Sequence, residues 1–430
     1  MHQAATLTPR AAADPRPASA VSAGTGIAGL VGMALWLGFA RWRGLDGPYG
    51  ALVNLLACGV PMILWSLLVD KVHRNASTGL DWANPRPWRE TIDTSLTRLA
   101  GLWITFAGIA LIYFVGRFYH SGIYVFAIDC IETAAPWLFL ASIPYVFLTD
   151  RIATNPRDGT WQLGAWALGL NEPIDREAIA NHLRSWGVKA FFLPFMLGVL
   201  PGGYGQLIRL DLAQALADPV ALAMALITLM FVVDVGFATV GYILTLRPLD
   251  AHIRTANPYA SGWVAALICY PPFILMSAGG PLDYHPGSGE WTGWFAGHPL
   301  LLSLVGAALV ALTLVYAWAT VAFGLRFSNL THRGIITHGP YRWTRHPAYL
   351  SKNLFWWLST IPILTTTDSL GDAARNTILL GLVSGVYYWR GKTEERHLGA
   401  DPAYRAYSDW MERNAPVPRF LAFVRGKQAS

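Results

Sequence analysis

Two short stretches hold most of the chemistry-bearing side chains of this 430-residue chain. The first, GPYRWTRHPAYL at 339–350, sets Tyr341, Arg342, Arg345, His346 and Tyr349 around Pro347. The second, YYWRGKTEERHL at 387–398, holds Arg390, Glu394, Glu395 and His397. Pro347 suits the first position of a helix, because its ring fixes φ near the helical value and its missing N–H is one the first turn does not use. The helix it opens aims free N–H groups, and the positive end of its dipole, at a loop carrying Arg342, Arg345 and His346, which makes an anion site. Glu394 and Glu395 bring the opposite sign. A ligand with a carboxylate, a cationic centre and a planar base suits that mixture of charges and aromatic faces.

The two stretches start 48 residues apart, and the elements that unite them are read from run lengths. With 53% hydrophobic and 13% charged residues and a mean hydropathy of +0.36, the chain is too apolar for an ordinary soluble protein of this size. A helix needs roughly 20 residues to cross a hydrocarbon core of about 30 Å. Apolar runs at 25–41, 49–70, 97–118, 123–148, 187–208, 217–246, 260–280, 299–325, 349–366 and 375–391 therefore predict an all-α, polytopic membrane bundle of about ten spans. The last two form a helical hairpin turning at TTTDSLGD, which returns the second stretch to the face of the first. Asp401 and Pro402 then read as N-cap and first position of a short helix whose Tyr404, Tyr407 and Met411 recur at helical spacing, an amphipathic tail that lies on the membrane or lids the hairpin.

Three regions follow. Residues 1–20, rich in Ala and Pro, read as a disordered tail. Residues 21–297 make about seven membrane helices with little recognisable chemistry. Residues 298–430 make three helices, the polar loop and the tail.

The net charge of +6 is spread through short loops, which argues against nucleic acid as a partner and reports orientation instead. With both termini cytoplasmic, the inside loops hold most of the Lys and Arg, against Arg41, Arg43, Arg117 and Arg209 in the opposite loops. The expectation is an integral protein of a bacterial inner membrane with its polar cluster on the cytoplasmic side. Cys58, Cys130 and Cys269 each fall inside an apolar run, with no C-x-x-C spacing, so neither a disulfide framework nor a metal site is expected.

The ordered pair GPYRWTRHPAYL and EERHLGADPAYRAY resembles the isoprenylcysteine carboxyl methyltransferase family and its phospholipid methyltransferase relatives over roughly residues 320–420. The resemblance implies a pocket for S-adenosyl-L-methionine formed by loop, hairpin and tail. It places the backbone of Arg333 to Ile336, including Ile335, with Tyr341, His346, Pro347, Ala348, Tyr349 and Glu394, on the cofactor, and it gives Arg390 the acidic group of an acceptor. Arg345 joins Arg390 as a candidate catalytic cation. The implied acceptor is a lipid-like or prenylated molecule drawn from the bilayer and methylated at a carboxylate, amine or hydroxyl. Ser351 and Lys352 depart from the family pattern, which favours a glycine two residues after the tyrosine, and Ser351 is expected to narrow the pocket.

Two other classes are compatible with the residues. A membrane reductase using NADPH shares a similar hairpin and tyrosine-rich tail, although Ala348 and the Glu394–Glu395 pair differ from its pattern. A transporter or binding protein is the third class, motivated by acids at membrane depth, Asp129, Glu132 and Asp234. The polar loop TNPRDGTWQLG at 154–164 is expected to cap the bundle or reach the mouth of the pocket.

Overall fold

The computed structural model describes residues 16–367 and 369–424. The chain runs α1 (Ala23–Arg43), α2 (Pro48–Leu64), α3 (Trp88–Val115), α4 (Tyr124–Ile152), α5 (Gly159–Ala167), α6 (Arg176–Arg209), α7 (Leu212–Ala217) and α8 (Pro219–Ile243). It continues through β1 (Thr255–Ala256), α9 (Ala260–Leu267), α10 (Trp291–Trp294), α11 (Pro299–Phe323), β2 (Thr331–His332), α12 (Pro347–Thr360), α13 (Pro362–Thr365), α14 (Leu370–Leu398), α15 (Pro402–Asn414) and α16 (Pro416–Val424). Among the described residues only β1 and β2 form a named sheet, a two-residue antiparallel ladder, so the fold is an all-α membrane bundle.

Seven of the expected spans are helices long and apolar enough to cross a bilayer: α1, α2 with its continuation to Val69, α3, α4, α6, α8 and α11. Helix α8 is central, packing against α2, α6, α7 and α11. Its Val233, Phe237 and Val240 share a core with Met33, Leu55, Met62, Leu200 and Val321. Small residues let these helices approach, as in other membrane bundles. At Gly32 a Cβ would fall 1.8 Å from the Ala57 carbonyl oxygen, so no side chain fits between α1 and α2 there.

The other three runs depart from simple spans. Residues 260–280 form only the short α9 and then turns, because Pro271, Pro272, Gly279, Gly280 and Pro281 interrupt any long helix. The segment nevertheless passes from one end of the bundle to the other: Thr255 pairs with His332, and Ser288 bridges to Thr366. Irregular backbone is tolerated at membrane depth when protein covers it. Here Cys269 and Tyr284 pack on Leu380, Val383 and Tyr387 of α14, and Leu282 N donates to Leu275 O at 2.9 Å. The run at 349–366 breaks at Ile361, whose φ of 42° ends α12 after 14 residues and sets up Pro362 to start α13. The run at 375–391 lies within the 29-residue α14, whose ends are polar.

Of the expected disordered tail, residues 1–15 lie outside the described residues, and residues 16–20 run beside the loop between α11 and α12. Ala20 N donates to Ile335 O at 2.8 Å, and the Ser19 hydroxyl meets His338 Nδ1 at 2.8 Å.

Charge separates the two ends. Arg98, Asp150, Asp158, Arg247, Asp250 and Arg326 gather at one, linked by Arg98–Asp158 at 2.7 Å and Arg326–Asp250 at 2.7 Å. Arg209 and Asp46 pair at 2.6 Å at the other. Arg41, one of the few cations expected in the opposite loops, donates there to the Leu207 and Ile208 carbonyls at 3.1 and 3.2 Å, where a cation offsets the negative end of α6.

Candidate active site

The loop between α11 and α12 is held from inside by Arg333. Its guanidinium donates to the carbonyl oxygens of Phe327 at 2.7 Å, Leu325 at 2.8 Å, Gly241 at 3.0 Å and Leu244 at 3.4 Å, and its Nε to Ala251 O at 2.8 Å. Burying an unpaired guanidinium is costly, and five carbonyl acceptors offset that cost while fixing the loop's path. Arg326 donates to Arg333 O at 2.7 Å and pairs with Asp250, which also accepts from Asn75 and Ser77. Gly334 follows at φ 114°, where a Cβ would lie 2.6 Å from both Ala20 Cβ and Arg326 Nη1. Only glycine fits this crossing of loop and N-terminal segment.

Helices α12 and α14 present the two motif stretches to each other. Tyr349 in the first turn of α12 donates its hydroxyl to Glu394 Oε1, and Trp357 Nε1 donates to Ser384 Oγ at 3.0 Å further down the hairpin. Val383, Tyr387, Arg390, Glu394 and His397 recur every three or four residues and so share one face of α14. Arg390, 2% exposed, donates to Asn329 Oδ1 at 2.6 Å, and its Nε lies 3.6 Å from Glu394 Oε1 without a hydrogen-bond partner among the described residues. Its guanidinium also sits 5.1 Å from the Tyr349 ring and 5.5 Å from that of Tyr270, a contact supplied by the irregular segment after α9.

The tail closes the site. Tyr404, Tyr407 and Met411 of α15 are buried together, with Ile335 packed against them. Burial of such side chains contributes on the order of 1.5–3 kcal/mol each. Tyr407 donates to Tyr341 O at 3.2 Å, and Arg345 donates to the Ser408 hydroxyl while facing Glu395 at 3.3 Å. Glu395 also accepts from Lys392 at 2.8 Å and meets His346 Nε2 at 3.0 Å, and the His346 ring stacks on Tyr349 at 5.7 Å. Burial opposes ionisation of Glu395, but His346, Lys392 and Arg345 outweigh it and lower the pKa to about 2. Burial, with His332 and Arg184 nearby, lowers His397 to about 4, so its contact with the Thr255 hydroxyl at 3.0 Å is made by a neutral ring.

Together these parts enclose a cavity of about 170 Å³. It is lined by ten of the sequence-predicted residues: Arg333, Ile335, Ile336, Tyr341, Arg345, His346, Ala348, Tyr349, Arg390 and Glu394. Pro347 does not line it; the proline is buried at the helix start, where it shapes the approach of its neighbours. Ser351 does not narrow it either, since its hydroxyl turns back to Pro347 O at 2.8 Å. Lys352 does reach the cavity, its ammonium 4.6 Å from the Tyr316 ring and 5.8 Å from those of Trp356 and Tyr387.

Residues 296–411 match the family model described as a protein of unknown function, DUF1295. The matched stretch begins just before α11 and ends at the buried Met411, so it coincides with the elements that build most of the cavity. No curated protein and no solved structure matches the chain.

Sequence reasoning missed several lining residues. Asn329, His332, Tyr270, Tyr316 and Thr320 all face the cavity. Tyr387, His397, Tyr404 and Tyr407 do as well, and those four share helix faces with residues already singled out. Asp234 sits directly behind the wall and accepts from the Thr320 hydroxyl. Asp129 and Glu132 instead face outward on α4. The loop at 154–164 caps the bundle, with Asp158 accepting from Thr160 N at 3.1 Å at the start of α5.

Proposed function

We propose that this protein is an integral-membrane methyltransferase that takes S-adenosyl-L-methionine in the cavity between loop, hairpin and tail. The carrying observation is the cluster Glu394, Tyr349 and Arg390, which sets a carboxylate, aromatic faces and a buried guanidinium N–H without an acceptor around one space. These groups fit a ligand that carries both charges and a polar ring system. The first-turn N–H groups of Ala348 and Tyr349 have no intrahelical acceptors and suit its carboxylate. The faces of Tyr341 and Tyr349 suit a sulfonium, and Glu394 suits an amino group or ribose hydroxyls.

The cofactor supplies an activated methyl group, so the protein's work is orientation and electrostatics. Arg390, fixed by Asn329, binds and orients an acidic group of the acceptor. His346, oriented by Glu395 at 3.0 Å, takes a proton where the nucleophile is an amine or hydroxyl; a carboxylate nucleophile needs no base. Arg345 joins Glu395 to Ser408 and so keeps the tail closed over the reacting groups. The acceptor is a lipid-like molecule, because the cavity continues between α11, α12 and α14 to Tyr316, Lys352 and Tyr387.

The test is label transfer. Membranes from cells with and without the protein are incubated with methyl-labelled S-adenosyl-L-methionine, and their lipids are resolved by mass spectrometry. A labelled lipid present only with the protein, and lost in Glu394→Gln, supports the reading; identical label profiles overturn it.

A further inference from the structure

A second cavity, of about 280 Å³, lies at the same charged end of the bundle but is built by residues 98–254, outside the loop, hairpin and tail. Four cations line it: Arg98, Lys189, Arg247 and Arg254. The carboxylates there are already engaged. Asp150 and Asp158 both meet Arg98, and Asp158 also faces Arg247 at 3.3 Å. Asp250, the acid nearest Arg254 at 3.9 Å, is shared with Arg326 at 2.7 Å and accepts from Asn75 and Ser77.

Lys189 is left with no carboxylate within ion-pair distance among the described residues. Its ammonium donates to the Thr245 hydroxyl at 2.9 Å and rests 3.9 Å from the Trp186 ring. A hydroxyl and an aromatic face orient a cation but do not neutralise it. His252 lines the same space, and its buried Nδ1 has no hydrogen-bond partner among the described residues. Two surplus cations and an orphaned ring nitrogen around a partly open polar space suit a small, multiply charged anion.

We propose that this cavity is a binding site for a phosphate group, held by Lys189 and Arg254 with Arg247 and His252 beside them. The site is separate from the methyl-transfer cavity but linked to it through Arg254: its N donates to His332 O at 3.0 Å, its side chain shares Asp250 with Arg326, and both His332 and Arg326 line the first cavity. The phosphate comes either from a free anion or from a lipid headgroup, and the experiment separates these sources.

The full chain, purified in detergent, is melted in inorganic phosphate and in chloride at equal ionic strength. A parallel set compares nanodiscs of phosphatidylcholine with nanodiscs that also contain phosphatidic acid. Binding to the folded state raises Tm with the logarithm of ligand concentration. A phosphate-specific rise in detergent supports the site with a free anion as ligand. A rise confined to phosphatidic acid supports it with a headgroup as ligand. Lys189→Met and Arg254→Gln each lower the phosphate affinity by at least about tenfold and leave S-adenosylhomocysteine binding in place. Arg254, with a side chain 32% exposed, is the variant that keeps the test open if Lys189→Met does not fold. No phosphate-specific rise in either environment, or a rise unchanged in both variants, overturns the proposal.

Discussion

The Tyr349 hydroxyl donates to Glu394 across 45 residues of sequence, tying the first turn of α12 to the end of α14. The bond crosses the candidate cavity, so both groups answer to whatever occupies it. Glu394→Gln keeps the shape and removes the charge, and it is expected to weaken S-adenosylhomocysteine by about ten- to a hundredfold, the range for a buried charge-assisted contact. Tyr349→Phe is expected to cost less, because Arg390 still faces Glu394. Calorimetric titration of the two variants checks the order.

Glu395 makes the closure of the tail acid-sensitive. Its carboxyl titrates at about 2 in the folded protein, against an ordinary value of 4.5. Because the folded-state pKa is depressed, the stabilisation is fully present above pH 4.5 and is lost as the pH falls toward 2. Thermal unfolding measured against pH should show that Glu395→Gln has lost this part of the acid destabilisation. Equal pH profiles for the two proteins would mean that the contacts of His346, Lys392 and Arg345 contribute nothing.

Arg333 is expected to matter for folding more than for chemistry. Arg333→Ala leaves five carbonyl groups without their donor, and an unsatisfied buried acceptor costs about 1–3 kcal/mol. The variant should unfold at a clearly lower temperature than the parent protein, with Arg333→Lys in between because an ammonium reaches fewer acceptors. Scanning fluorimetry in detergent distinguishes this from a purely cofactor-facing role, which would leave the apo-protein melting temperature unchanged.

Under the proposed function, Lys352 is the residue that tells acceptor from cofactor. Its ammonium lies among Tyr316, Trp356 and Tyr387, deeper than the helix start proposed above for the methyl donor. Lys352→Met is expected to raise KM for the acceptor severalfold while leaving S-adenosylhomocysteine affinity within about twofold. A loss of nucleoside affinity would place Lys352 in the donor end instead.

Much of this site was legible because its residues sit on helices with clear starts and periods. Pro347 announced α12, and Arg390 and Glu394 fell on one face of α14. The tail was marked by Asp401, which accepts from Ala403 N at 2.8 Å as an N-cap. What stayed hidden depends on contacts that no local pattern encodes. Tyr270 reaches the cavity from an irregular crossing segment that reads as an apolar span, and Asn329 gains its role only once Arg390 lies beside it. The side chain of Arg333 reads as one more loop cation, yet its direction is set by carbonyls of Gly241, Leu244 and Ala251 far upstream. Likewise Ser351 looked like an intrusion on the pocket, whereas a hydroxyl on a helix can satisfy itself on the preceding turn.

The central claim is that this cavity holds a methyl donor, and the most direct measurement is calorimetric titration of the purified full chain with S-adenosylhomocysteine and, separately, with NADPH. Saturable binding of S-adenosylhomocysteine at one site per chain, abolished or strongly weakened in Glu394→Gln, with no heat from NADPH, is the predicted result. Binding of NADPH without S-adenosylhomocysteine, or of neither nucleoside, would contradict it.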